Sequence, residues 1–308
     1  MTESAIKGAG LSVGVAEYND KVLSACPAAL DSAREVARAL NPDLVPEVRV
    51  VTNPPSADAL FKDLEKTIRS ARGGAFFLYF AGHALRREDE ILLAAATSEF
   101  KDAKGCVPLS DIVSLLRREQ VARSLILLNI DQPPAATTKP PRVPEGVAII
   151  GSTRAFDPTS SNTRLRAFSN VVLEALRRPA LEMAAYLTDG RLDADGLGRY
   201  LLASAPKMLA PAVLGTSSEV FVVRDLAAEL AAAQAAAQAA AEAKAAAPPP
   251  EEPAKIEVPA KVEEAPVAEK KITVKEAPAP LTRKPASRVP YILVIIVIVT
   301  AILYYFTK

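Results

Sequence analysis

FFLYFAGHA occupies Phe76–Ala84 and contains His83, the only histidine among 308 residues. With Ala75 in front, the run AFFLYFAG shows no alternation of polar and apolar side chains. A strand that shows water on one face alternates; one that is apolar throughout is covered on both. The stretch therefore predicts a central strand of a sheet sandwiched between helices. In an open parallel sheet, sites lie beyond the carboxyl ends of the strands, and the strand is expected to end at His83.

The flanking sequence agrees. GLSVGV (Gly10–Val15), EVRVVT, SLILLNI and GVAIIGS read as further strands, SEVFVV as a last one, and EILLAAA (Glu90–Ala96) as a short hairpin. Between them lie helical patterns. PAALDSAREVARAL places Leu30, Ala33, Val36, Ala37 and Leu40 on one face. SADALFKDLEKTIRSA starts at Ser56, a plausible N-cap, and PLSDIVSLLRRE has Pro108 near its start. AFSNVVLEALRR and DADGLGRYLLASA complete the set. Strands alternating with helices predict an α/β fold, a mostly parallel sheet flanked by helices on both sides.

Four zones are expected. Residues 1–225 form the α/β domain. Residues 226–247, LAAELAAAQAAAQAAAEAKAAA, are strong helix formers with only a thin packing face, a helical stalk. Residues 248–288 mix Pro with Glu and Lys and cannot bury enough apolar surface to fold, so they read as a disordered linker; fully extended, it reaches on the order of 120 Å. Residues 289–307 contain YILVIIVIVTAILYYF, which is uncharged. As a helix that run spans roughly 24 Å, close to the ~30 Å hydrocarbon core. Arg283, Lys284 and Arg288 precede it, and Tyr291, Tyr304 and Tyr305 sit where interfacial aromatics belong. The expectation is a single-pass membrane protein with its N-terminal domain on the cytoplasmic side. The opening residues, with an early Glu3, do not read as a secretory signal.

Composition excludes other classes. Net charge is +1, from 37 basic and 36 acidic residues, which gives no electrostatic case for nucleic acid. Two cysteines, Cys26 and Cys106, and one histidine lack metal-site spacing. No metal and no cofactor is expected. Asp189, Asp193 and Asp195 superficially suggest calcium, but the EF-hand order and its terminal Glu are absent. Asp193 reads instead as a helix N-cap.

Two strand ends stand out: AGHA with His83, and NIDQPP with Asn129 and Asp131. If these strands are neighbours, His83 and Asp131 share one crevice. At this point residues 8–224 resemble the caspase-like cysteine peptidases, including metacaspases and bacterial caspase-domain proteins. FFLYFAGHA resembles the strand that delivers that family's histidine, and SLILLNIDQPP the strand that delivers its cysteine; the separation, 131 − 83 = 48, agrees with the ~50-residue spacing. LSVGVAEYNDKVLSACPAALDSAREVARAL resembles its first strand and helix, CVPLSDIVSLL the helix between the two strands, and DGRLDADGLGRYLLASA a late helix.

The resemblance implies roles. His83 matches the acid/base, the amide of Ala84 an oxyanion donor, and Asp31 a position of the acidic substrate pocket. It also exposes departures. Asp131 stands where the nucleophilic cysteine belongs, and Asn129 where metacaspases place a pocket aspartate. Cys106 lies about 25 residues too early, and Cys26 lies in the first loop; both read as small residues in or near a core. A carboxylate is a far poorer nucleophile toward an amide than a thiolate, and beside His83 it would raise the histidine pKa. The leading expectation is a membrane-tethered pseudopeptidase that binds a peptide or protein in the old crevice, or pairs two copies through a sheet edge. The alternatives are an active cysteine endopeptidase with an unrecognised nucleophile, and a passive structural head.

Overall fold

The computed structural model describes residues 8–87, 90–131, 145–152, 161–206, 209, 211–215 and 221–246. The chain divides into two units, Met1–Pro248 and Pro249–Lys308. The second unit, with most of the expected linker and the apolar run at 289–307, lies outside the described residues.

The first unit is α/β. Its elements are β1 (Gly8–Gly14), α1 (Ala28–Ala39), β2 (Glu47–Thr52), α2 (Ala57–Ser70), β3 (Ala75–Arg87), β4 (Glu90–Glu99), β5 (Lys104–Pro108), α3 (Leu109–Arg118), β6 (Arg123–Asp131), β7 (Val147–Ser152), α4 (Ser161–Arg177), α5 (Ala180–Met183), β8 (Arg191–Asp193), α6 (Ala194–Ser204), β9 (Pro211–Gly215), β10 (Val222–Asp225) and α7 (Ala227–Ala246). The main path of an eight-stranded sheet runs β2-β1-β3-β6-β7-β9. Its first five strands are parallel; β9 joins antiparallel.

Residue parity along β3 explains the layers. Phe76, Leu78 and Phe80 pack with Leu60, Leu64 and Ile68 of α2 and Ile112 of α3. Phe77, Tyr79 and Ala81 pack with Ala29, Ala33 and Val36 of α1 and Phe168 of α4. Every residue of AFFLYFAG is buried, so the unbroken apolar run reports helices on both faces. Each large side chain fully withdrawn from water contributes roughly 1.5–3 kcal/mol, which makes this strand the anchor of both half-cores.

The expected caps are present. Ser56 accepts from the Ala59 amide at 3.2 Å, and Asp193 accepts from the Gly196 amide at 2.7 Å. These are the orphan N–H groups that an N-cap serves. The Ala-rich helix α7 docks its first turn: Glu229 accepts from the Ala180 amide at 2.8 Å, and Leu230 packs against the core. From Gln234 to Ala240 it is exposed. No helix among the described residues is long and apolar enough to cross a membrane.

Three details differ from the sequence reading. The central strand does not end at AGHA. It continues to Arg87, changing partners from β6 to the antiparallel β4, which is the expected hairpin. The end of SEVFVV falls in β10, which pairs with β8 in a separate two-stranded sheet. The main sheet ends at β9 instead. The sequences PAVLG and KGCVP, β9 and β5, carry Pro, Gly and Lys and no alternation; their strand state comes from pairing, not propensity.

Candidate functional site

His83 sits where β3 changes partners. Its Cα is the register partner of Asp131, the last residue of β6, so the two strand positions singled out in the sequence lie side by side. The histidine is fully buried. The loop after β1 wraps it. Tyr18 Oη accepts from the His83 amide at 2.8 Å and donates to the Val15 carbonyl at 3.1 Å, and the two rings stand 4.8 Å apart. Burial pushes the Tyr18 pKa well above its usual value, with the neighbouring Cys26 adding to it. The phenol therefore stays neutral and keeps both bonds.

This loop is held at many points. Asn53, at φ 46°, turns its side chain back so that Oδ1 accepts from Ala16 N at 2.7 Å and from Glu17 N at 3.3 Å. Cys26 N donates to Ala16 O, Asn19 N to Ala96 O, and Phe100 N to Asp20 Oδ2 at 2.7 Å. Backbone bonds to the Asp20 carboxylate, from Phe100 and then Val22, lower its pKa. Gly82, at φ 156°, is required by the same packing: a Cβ there would lie 2.6 Å from Tyr18 Oη. The glycine thus lets the tyrosine reach the His83 amide.

His83 Nε2 lies 2.7 Å from the Ser24 carbonyl and 3.3 Å from Cys26 Sγ. A carbonyl only accepts, so Nε2 must carry a proton. That bars Nε2 from taking the Cys26 proton while the Ser24 bond stands, and Nδ1 is itself buried from solvent. Cys26 Sγ itself reaches the Ser24 carbonyl at 3.4 Å, and the residue is fully buried in the α1-side core. Histidine and cysteine are in contact, yet the geometry is that of two donors converging on one carbonyl. Cys106, the second thiol, sits in β5 opposite Ala94, and burial pushes its pKa up.

The remaining expected site residues separate. Asn129 is buried on the α1 side, its amide bonded to Tyr79 Oη at 2.8 Å, Leu165 O at 2.7 Å and Ser169 Oγ at 2.8 Å. Ser169 Oγ contacts Ser32 Oγ and Tyr79 Oη. This network joins β3, β6, α1 and α4. Ala84 is buried in the β3–β4 ladder as the partner of Leu93. Asp31 lies exposed in the first turn of α1, 3.4 Å from Arg34. No group of metal-binding side chains occurs among the described residues.

Sequence reasoning missed Tyr18, Ser24 and Cys26 as neighbours of His83. The signal was available: the loop after β1 opens at the carboxyl edge of the strand beside β3, where a parallel sheet gathers its sites.

Burial pushes the Tyr79 pKa from 10.0 to about 12, with bonds from Ser169, Asn129 and Ser32 opposing the shift. A phenol whose folded pKa is raised keeps its stabilising contribution below its unfolded pKa near 10 and loses it as pH climbs toward 12. The expected loss is on the order of 2–3 kcal/mol. Urea titrations between pH 9 and 12 should show it as a difference between the wild type and Tyr79→Phe, which has no proton to lose. Parallel curves would mean that Tyr79 does not titrate in the folded state.

The sequence matches no model of a known protein family and no curated protein. The fold and the His83 environment therefore carry the functional argument alone.

Proposed function

We propose that this chain is a membrane-anchored, caspase-like domain whose crevice at His83 binds a peptide or protein partner without cleaving it. The observation that carries the reading is the register of His83 against Asp131 on two central parallel strands. The Ser24 carbonyl fixes the ring through Nε2. A peptidase of this kind needs a thiol across from that histidine, and position 131 supplies a carboxylate. The apolar run Tyr291–Phe306 motivates the anchor.

The contact between Cys26 and His83 favours a second reading, an active cysteine peptidase that uses Cys26. Two facts weigh against it. The thiol is fully buried, and the nitrogen it faces already donates to a carbonyl.

One preparation tests both parts. The full chain, expressed and fractionated, should remain in the membrane pellet after alkaline carbonate; release into the supernatant would remove the anchor from the proposal. Solubilised in mild detergent, it should not turn over fluorogenic peptides with basic or acidic residues before the scissile bond. Turnover that His83→Ala abolishes would overturn the pseudoenzyme reading, and loss with Cys26→Ser as well would establish the second one.

A further inference from the structure

The strongest unassigned surface is the outer edge of β2. It stands at the end of the sheet, beside β1, and no described strand pairs with its other side. Exposed edges are normally blunted by proline, lysine, a bulge or a covering element. EVRVVT has no proline and no lysine. Its arginine, Arg49, is turned to Asp63 at 2.5 Å.

The ladder fixes which groups point outward. The Asn53 amide donates to the Gly14 carbonyl, and Gly14 is the register partner of Thr52. In a parallel ladder, the peptide groups that reach the neighbour come from every second residue. Odd positions of β2 therefore serve β1, and Val48, Val50 and Thr52 direct their N–H and C=O groups away from the sheet. The side chains of these three residues line a groove of about 450 Å³ together with Arg34, Ala37 and Arg38 of α1. Positions 34, 37 and 38 follow the i, i+3, i+4 spacing of one helix face. Val50 is 40% exposed.

Charge names the occupant. Arg38 has no carboxylate partner among the described residues, and Arg34 meets only the exposed Asp31 at 3.4 Å. Two guanidinium groups thus flank an apolar floor and a row of open backbone groups. We propose that this edge docks an extended acidic segment of a partner protein, which adds to the sheet as a strand beyond β2. Its backbone would bond Val48, Val50 and Thr52, its apolar side chains would cover Val50, and its carboxylates would meet Arg34 and Arg38. A second copy fits less well. An antiparallel β2–β2 pairing puts both copies of Arg34 and Arg38 on one face of the joined sheet, across the seam, where like charges repel. The proposal does not rest on the reading of the His83 crevice.

The test uses the full chain in detergent and a fluorescein-labelled ten-residue peptide of alternating glutamate and valine. The peptide with lysine in place of glutamate is the control. Anisotropy should show binding of the acidic peptide and at least tenfold weaker binding of the basic one. Arg34→Glu with Arg38→Glu should weaken the acidic peptide at least tenfold. Val50→Pro should do the same, because it removes only an outward N–H. The charge-reversal pair, at solvent-facing helix positions, keeps the test decisive should the proline variant melt early. Equal binding of both peptides, or acidic binding that neither substitution weakens, would overturn the proposal. So would a dimer in sedimentation velocity that Val50→Pro dissolves, since the edge would then belong to a second copy.

Discussion

Asn129→Leu is expected to lower the stability of the domain by about 3–4 kcal/mol, although leucine has nearly the same volume and lies in an apolar layer. The amide of Asn129 joins Tyr79, Ser169 and the Leu165 carbonyl. Only two amide hydrogens serve these three acceptors, so one hydrogen is shared between two of them, and the hydroxyls of Tyr79, Ser169 and Ser32 extend the network. Removing the amide strands polar atoms that water cannot reach, and each such atom costs roughly 1–3 kcal/mol. For a domain of this size, each kcal/mol moves Tm by about 2–4 °C, so a loss near 10 °C is expected by calorimetry. Asn129→Asp should be worse, because it buries a charge among groups already arranged for an amide. An unchanged Tm with altered binding of a crevice ligand would show instead that Asn129 serves the crevice directly.

That network marks the limit of what the sequence discloses. AFFLYFAG announces a doubly covered strand because apolarity on both faces is a one-dimensional signal. Ser56 and Asp193 announce helix starts because a cap is local. His83 and Asp131 lie side by side because β3 and β6 pair from their first residues, Ala75 with Arg123, and hold that register to the end of β6. Asn129 behaves differently. Its role depends on a hydroxyl 50 residues earlier and another 40 residues later, and nothing in NIDQPP distinguishes an asparagine that faces a crevice from one that faces α4. The same holds for Cys26. As a small residue before a helix it looks inert; its contact with His83 arises only once the loop after β1 is folded down by Asn53, Asp20 and Tyr18. The two short strands β5 and β9 were illegible for a related reason: their partners, not their residues, make them strands.

The largest functional change is expected from Asp131→Cys. In the wild type, neither thiol is suited to react. Cys26 is fully buried against the Ser24 carbonyl, and burial holds the Cys106 pKa up. A cysteine at position 131 would start from a Cα directly across the ladder from that of His83, about 4.8 Å away as adjacent strands are spaced. With Nε2 donating to Ser24, transfer of the thiol proton to His83 has to go to Nδ1, which is buried from solvent. An imidazolium partner commonly brings a cysteine pKa from about 8.5 to 7 or below. At pH 7 that raises the thiolate share from about 3% to about one half. Part of the gain is offset, because a less basic thiolate is a weaker nucleophile. Alkylation by iodoacetamide at pH 7, followed by mass spectrometry of the labelled peptide, should therefore proceed about three- to fourfold faster at the introduced thiol in Asp131→Cys than in Asp131→Cys combined with His83→Ala. The pH profile should shift with it, the single variant reacting already below pH 7 and the double variant only as pH approaches 8.5. Equal rates and equal profiles would mean that His83 does not address position 131. The proposed reading of an old catalytic crevice at His83 would then lose the support that the register lends it.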